Sequence, residues 1–267
     1  LKGTSTPPLD RNPLSPKFGL TWSPLKDTTF RFAAFQSLKR GIIQKQTLEP
    51  TQIAGFNQFF DDTDGSTARR IGFGLDHKFT DKFFVGAEVS RRYIDIPLFG
   101  FDSTGKAILD RTKWNEKNAR AYLNWVPNDF FSFGLDYNYE KLNRNTDFFD
   151  ISEDNKASNF FTQLETHRTQ LFGNFYHPSG LISKLMLGYI NQAGNFSDGL
   201  GGVPSPGSTK FWKLDAEIGY RLSKRHGLVT LGIKNLLDEG FNFQGTDVNS
   251  PGLPQGRFFF SRLTLSF

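Results

Sequence analysis

The 267-residue chain has no cysteine, which excludes a disulfide framework and any thiolate-bound metal. Four histidines and one methionine leave little for a histidine-rich metal site or for haem ligation, and no cofactor is expected. No run of about eighteen apolar residues occurs, so the chain holds no transmembrane helix. If it crosses a bilayer, it must do so as a β-barrel. The opening Leu1-Lys2-Gly3-Thr4 shows no charged region leading into an apolar core, as a signal peptide would, and suggests a processed form or a fragment. Catalytic spacings are missing too: there is no Gly-x-Ser-x-Gly elbow and no His-Glu-x-x-His pair. His77 and His226 fall at one end of the strands and His167 at the other, too scattered for one site. The chain therefore reads as a non-enzyme.

Phenylalanine is abundant, at 30 residues, and glycine follows at 26, yet the mean hydropathy is polar at -0.44. A barrel wall reconciles these values, because its apolar and polar residues alternate and average out. The net charge of +5 suits an anionic membrane surface or an anionic ligand, and equally suits solvated strand ends. A sheet that stacks nucleic acid would interleave aromatics with Lys and Arg on one face. Here the two classes segregate, and no nucleic-acid partner is expected.

Residues 256–267 show the pattern most clearly. Phe259, Leu263, Leu265 and Phe267 share one face with Ser261; Arg262, Thr264 and Ser266 share the other. The same alternation recurs along the chain. Phe30, Phe32 and Ala34 oppose Thr29, Arg31 and Ala33; Phe131, Phe133, Leu135, Tyr137 and Tyr139 oppose Ser132, Gly134, Asp136, Asn138 and Glu140. Compact turns at Pro24–Asp27, Thr80–Lys82, Pro127–Asp129, His177–Gly180 and Ser223–His226 alternate with long connections over residues 38–67, 96–111, 143–165, 197–208 and 236–255. About eleven strands result. The expected fold is all-β, an antiparallel up-and-down transmembrane β-barrel with short periplasmic turns and long extracellular loops. Single-chain bacterial barrels have even strand numbers, so an odd count implies the carboxy-terminal part of a larger barrel, with no plug or periplasmic domain in this chain.

An aromatic carboxy-terminal residue on a last strand resembles the closing strand of bacterial outer-membrane barrels. The resemblance implies an outer-membrane location and makes Phe267 part of the signal read by the barrel-assembly machinery. The segment Leu231-Gly232-Ile233-Lys234-Asn235-Leu236-Leu237-Asp238-Glu239-Gly240-Phe241 is similar to the penultimate strand of TonB-dependent receptors, where Asn-Leu-Phe-Asp opens the last extracellular loop; here Leu237 replaces the Phe. Residues 14–24 resemble a strand of the same family that leads into a periplasmic turn, and Pro251-Gly252 with Gly256-Arg257 is similar to its Pro-Gly-Arg approach, split by an insertion. The family implies receptor-like uptake of a solute, driven through an energy-coupling inner-membrane complex. Residues 46–62 resemble a stretch of barrels linked to periplasmic helical repeats, which implies a porin or a polymer exporter instead. A non-transport anchor binding a protein partner through its loops is a third reading. Lipid and lipopolysaccharide of the outer membrane are partners in all three.

If the apolar stripes face lipid, the opposite faces line the lumen. The candidate lumen residues are Arg31, Asp76, Glu88, Arg120, Asp136, Glu140, Lys213, Asp215, Glu217, Lys234 and Arg262, which would tune solute passage or pair across strands. Phe56, Phe59 and Phe60 would either grip a ligand at the extracellular mouth or pack their loop into the lumen. Asp61, Asp62 and Asp64 with Gly65 resemble a calcium-loop fragment but lack the distal Glu, so a solvated turn is the simpler reading. Trp22, Tyr93, Trp114, Trp125 and Tyr220 suit interfacial aromatic girdles.

Overall fold

The computed structural model describes residues 14–39, 52–58, 62, 64–101, 107–144, 163–196, 205–222, 226–243, 245 and 256–265. Eleven strands form one antiparallel sheet: β1 (Lys17–Leu25), β2 (Thr28–Leu38), β5 (Thr67–Thr80), β6 (Phe83–Phe101), β7 (Ala107–Asn128), β8 (Phe131–Arg144), β9 (Gln163–Tyr176), β10 (Leu181–Phe196), β11 (Ser205–Arg221), β12 (Gly227–Lys234) and β13 (Phe258–Leu265). Each pairs with its neighbour in sequence, so the topology is a plain up-and-down meander. Between β2 and β5 a separate hairpin intervenes, β3 (Gln52–Ile53) with β4 (Phe56–Asn57). Tight turns join the strands at one end. At Asn128 the side-chain Oδ1 accepts the amides of Phe130 and Phe131, at 2.9 and 3.0 Å. At the His177 turn Gly180 adopts a φ of 95°, a conformation that favours glycine.

Alternation sorts the side chains into two faces. On the outer face Ile71, Phe73, Leu135, Leu171, Leu185, Ile218, Leu231 and Leu263 stand exposed, with Ile71 57 % and Leu185 57 % accessible. Neighbouring strands align these residues: Phe73 lies opposite Phe32 and Val89, and Leu135 lies between Leu123 and Leu171. Aromatic pairs knit the band near the turns, with Trp125 and Phe133 rings 5.6 Å apart and Phe131 and Phe175 rings 5.1 Å apart. On β8 the outward run from Phe131 to Tyr139 covers roughly 27 Å of strand, or roughly 20 Å of height when tilted by about 40°, close to the ~25 Å apolar band of such barrels. Above it the outward positions turn polar, at Arg69, Arg91, Lys117, Lys141, Glu165 and Lys210.

The structure departs from the expected strand boundaries and faces in several respects. Most of residues 96–111, expected to be a loop, is strand: β6 and β7 stay in register from Ile96 opposite Thr112 to Phe101 opposite Ala107. Pro97 and the glycines broke the alternation that would have announced it. Likewise β11 begins at Ser205, within the Gly/Pro-rich stretch expected to be loop. Trp114 belongs to the inner face, not to an outer girdle. It packs beside Ile94, Ile96 and Leu142, with the Arg144 guanidinium 4.0 Å from its ring centroid. Trp22, Tyr93, Trp125 and Tyr220 are exposed on the outer face.

Candidate functional site

The inner face is polar along the middle of the strands. Arg31 on β2 reaches across β5: its Nε lies 2.6 Å from Asp76 and its Nη2 3.2 Å from Glu88 on β6. The Tyr122 hydroxyl donates to Asp76 Oδ1 at 2.5 Å. One strand further, Arg120 binds Asp136 through Nε at 2.9 Å and Nη2 at 2.5 Å, and Asn138 donates to the same carboxylate. Nearer the long loops, Arg92 bridges Asp62 and Glu116, the latter at 3.2 Å. Asp62, expected in a solvated turn, instead sits in a buried ion pair with Arg92. Among the described residues no group of three His, Cys, Asp or Glu is arranged to hold a metal.

A second polar cluster lies on β11 to β13. Asp215, 4 % exposed at its side chain, has Lys213 at 3.6 Å and Lys234 at 3.4 Å, and accepts the Asn235 amide at 2.9 Å. Lys234 also approaches Glu217 at 3.6 Å. Arg262 stacks over Phe260, 6.0 Å from the ring centroid. At the exit of β12 Asn235 takes a φ of 50°, and its side-chain amide donates to the Glu239 carbonyl at 3.0 Å and accepts the Glu239 amide at 3.1 Å, which turns the chain out of the wall.

Beside the first set of contacts lies a cavity of about 650 Å³ lined by side chains of β5 to β10 and by Asn57 of β4. Glu88, Arg120, Asp136 and Glu140 line it, together with Arg70, Arg168, Lys184 and the amides of Asn118, Asn138, Gln170 and Asn174. Side chains of six successive strands thus converge on one open groove on this face. Arg31 and Asp76 adjoin the cavity through Glu88, whereas Lys213, Asp215, Glu217, Lys234 and Arg262 form their cluster outside it. Sequence reading overlooked Arg168 and Lys184. The signal was available: Arg168, Gln170, Phe172 and Asn174 alternate with Thr169, Leu171 and Gly173.

Near β2 the inner face is covered by the β3–β4 hairpin. Phe56, 1 % exposed, packs on Ala33 and Phe35, with the guanidinium carbons of Arg31 and Arg70 5.4 and 5.7 Å from its ring centroid. Its ring lies against Gly72, where an added Cβ would come within 2.6 Å of it. Arg70 also donates to the Asn57 carbonyl at 2.8 Å. Phe56 is thus committed to the wall and presents no apolar surface at the mouth. Phe59, Phe60 and Phe267 lie outside the described residues.

No family model and no curated protein matches the chain. Among solved structures, it is similar to the toluene transporter TodX of Pseudomonas putida, with 13 % identity and a TM-score of 0.39 over 95 % of this chain and 73 % of that one. It is also similar to a FadL homologue of Pseudomonas aeruginosa, with 14 % identity and a TM-score of 0.37 over 93 % of this chain and 65 % of that one. Likeness at this level decides neither substrate nor mechanism, and the functional reading rests on the strands themselves.

Proposed function

We propose that this chain forms the wall of an outer-membrane transport barrel that admits a small hydrophilic solute. One observation carries the reading: charged and amide side chains gather around a cavity of about 650 Å³ on one face, while bare Phe, Leu and Ile occupy the other. A charge on the lipid side costs about 2–4 kcal/mol at mid-bilayer, so this sorting is what a hydrocarbon solvent imposes. A soluble sandwich would cover that apolar face with a second sheet, and among the described residues none does so. Acyl chains supply the cover instead. The long connections then face outward and the tight turns inward, the usual sense of such barrels. The similarity of residues 231–241 to TonB-dependent receptors supports the finer reading, receptor-like uptake with an energy-coupling partner. A passive pore is the alternative within the same architecture.

The test is reconstitution of the whole protein into planar bilayers and vesicles. Steady ohmic conductance is expected from a passive pore, and low conductance with solute entry dependent on energy coupling from a receptor. Failure to insert into vesicles at all would overturn both.

A further inference from the structure

We infer that Arg91 and Lys117 form a seat for the phosphate of a lipid headgroup in the leaflet beside the long-loop end of the barrel. The inference rests on the membrane reading above and adds a specific site to it. In the sheet register Arg91 lies directly opposite Lys117, and Lys117 directly opposite Lys141, so three cations stand in a row across β6, β7 and β8. All three point to the outer face. Like charges facing one another across strands are destabilising, and a wall that keeps them there calls for an anion. Lys141 has one, with Glu165 at 2.8 Å. Among the described residues Arg91 has no carboxylate partner: its Nε donates to Asn115 at 3.0 Å and its guanidinium carbon lies 4.5 Å from the Tyr93 ring centroid. Lys117 has no hydrogen-bond or ion-pair partner among the described residues. Both side chains are exposed.

Their height identifies the occupant. One step toward the turns on the same face lie Val89, 54 % exposed, and Ala119, which belong to the apolar band. One step toward the loops lie Tyr93 and Asn115. The pair thus sits where hydrocarbon gives way to headgroups, beside an aromatic that favours that boundary. A lipid-borne phosphate arrives at this level already anchored by its chains, whereas a free phosphate would have to be captured from bulk water. A fixed guanidinium beside a mobile ammonium can engage a phosphate with charge-assisted hydrogen bonds.

The test uses the whole protein in neutral detergent, titrated with diphosphoryl lipid A, with the same lipid stripped of phosphate, and with inorganic phosphate. The parent protein is expected to bind diphosphoryl lipid A at least about tenfold more tightly than the stripped form, and Arg91→Gln/Lys117→Gln to lose that preference. A second variant, Lys117→Glu, pairs Arg91 internally. It should raise the unfolding temperature in lipid-free detergent and abolish the further rise that diphosphoryl lipid A gives the parent. A preference that survives in both variants overturns the site, as does inorganic phosphate that binds the pair as tightly as the lipid. Protease protection in phosphatidylcholine vesicles distinguishes loss of the phosphate seat from failure of membrane insertion. If parent and variants insert equally while the lipid preference is absent, only this seat is wrong; if none inserts, the membrane reading itself falls.

Discussion

Gly134 lies opposite Phe172 in the β8–β9 register, and the aromatic ring fills the space a side chain would need: a Cβ added at Gly134 would lie 2.1 Å from the ring. The same pairing recurs at Gly86 with Tyr122 and at Gly232 with Phe260, each across a strand boundary on the inner face. An aromatic laid over a cross-strand glycine covers backbone that glycine leaves bare, and it holds the ring against the wall; Phe172 lines the cavity from this position. Gly134→Val should therefore push Phe172 into the lumen and cost about 1–3 kcal/mol in equilibrium urea unfolding. Unchanged stability would mean that the ring has a second resting place. The Asp76 carboxylate is a different kind of tie, because it holds Arg31 and Tyr122 together. With Arg31 and Asp76 15 % and 30 % exposed at their side chains, solvent screens the pair only in part. Asp76→Ala is expected to lower stability by about 1–2 kcal/mol, more than an exposed ion pair would, and to loosen the β2–β5–β6 corner in hydrogen exchange.

Strands with strict alternation were the most legible elements, because one face is apolar and the other polar, and the period of two survives any tilt or curl. Thus β5, β8 and the Ala119–Trp125 part of β7 are readable directly, including the side on which Arg120 and Asp136 fall. The β3–β4 hairpin was not, since Gln52–Ile53 and Phe56–Asn57 are too short to establish a period. Phe56 owes its position to tertiary contact with Ala33 and Gly72, which no local pattern encodes. Ion-pair partners such as Arg31 with Glu88 were equally hidden, because they depend on register across an intervening strand. The two-faced character of the strands predicts an asymmetric response to charge. Leu185→Arg, on the outer face of β10, should cost about 2–4 kcal/mol in lipid vesicles. Gln170→Arg, on the inner face of β9 beside the cavity, should leave stability nearly unchanged and shift ion selectivity toward anions. Equal losses at both positions would show that the outer face meets protein and not lipid.

At the scale of the whole molecule, the ends of the sheet impose a parity constraint. β1 and β13 stand at opposite ends of an eleven-strand antiparallel order, so they run in the same direction. Joining them directly would create one parallel seam in an otherwise antiparallel wall. Two copies inserted with the same orientation do not escape this, since β13 of one would again meet β1 of the other in parallel. An antiparallel closure takes an odd number of strands between them beyond the eleven formed by the described residues. The absence of cysteine makes this directly measurable. Cysteines placed pairwise along the outward positions of β1 and β13, such as Leu20→Cys with Ser261→Cys, would form a disulfide only if their Cα atoms came within about 7 Å. In the whole protein embedded in membranes, no register of such pairs is expected to cross-link, whereas Phe32→Cys with Phe73→Cys, opposite one another in the β2–β5 ladder, should do so readily. Efficient bridging between β1 and β13 would instead establish a closed eleven-strand wall with a parallel seam.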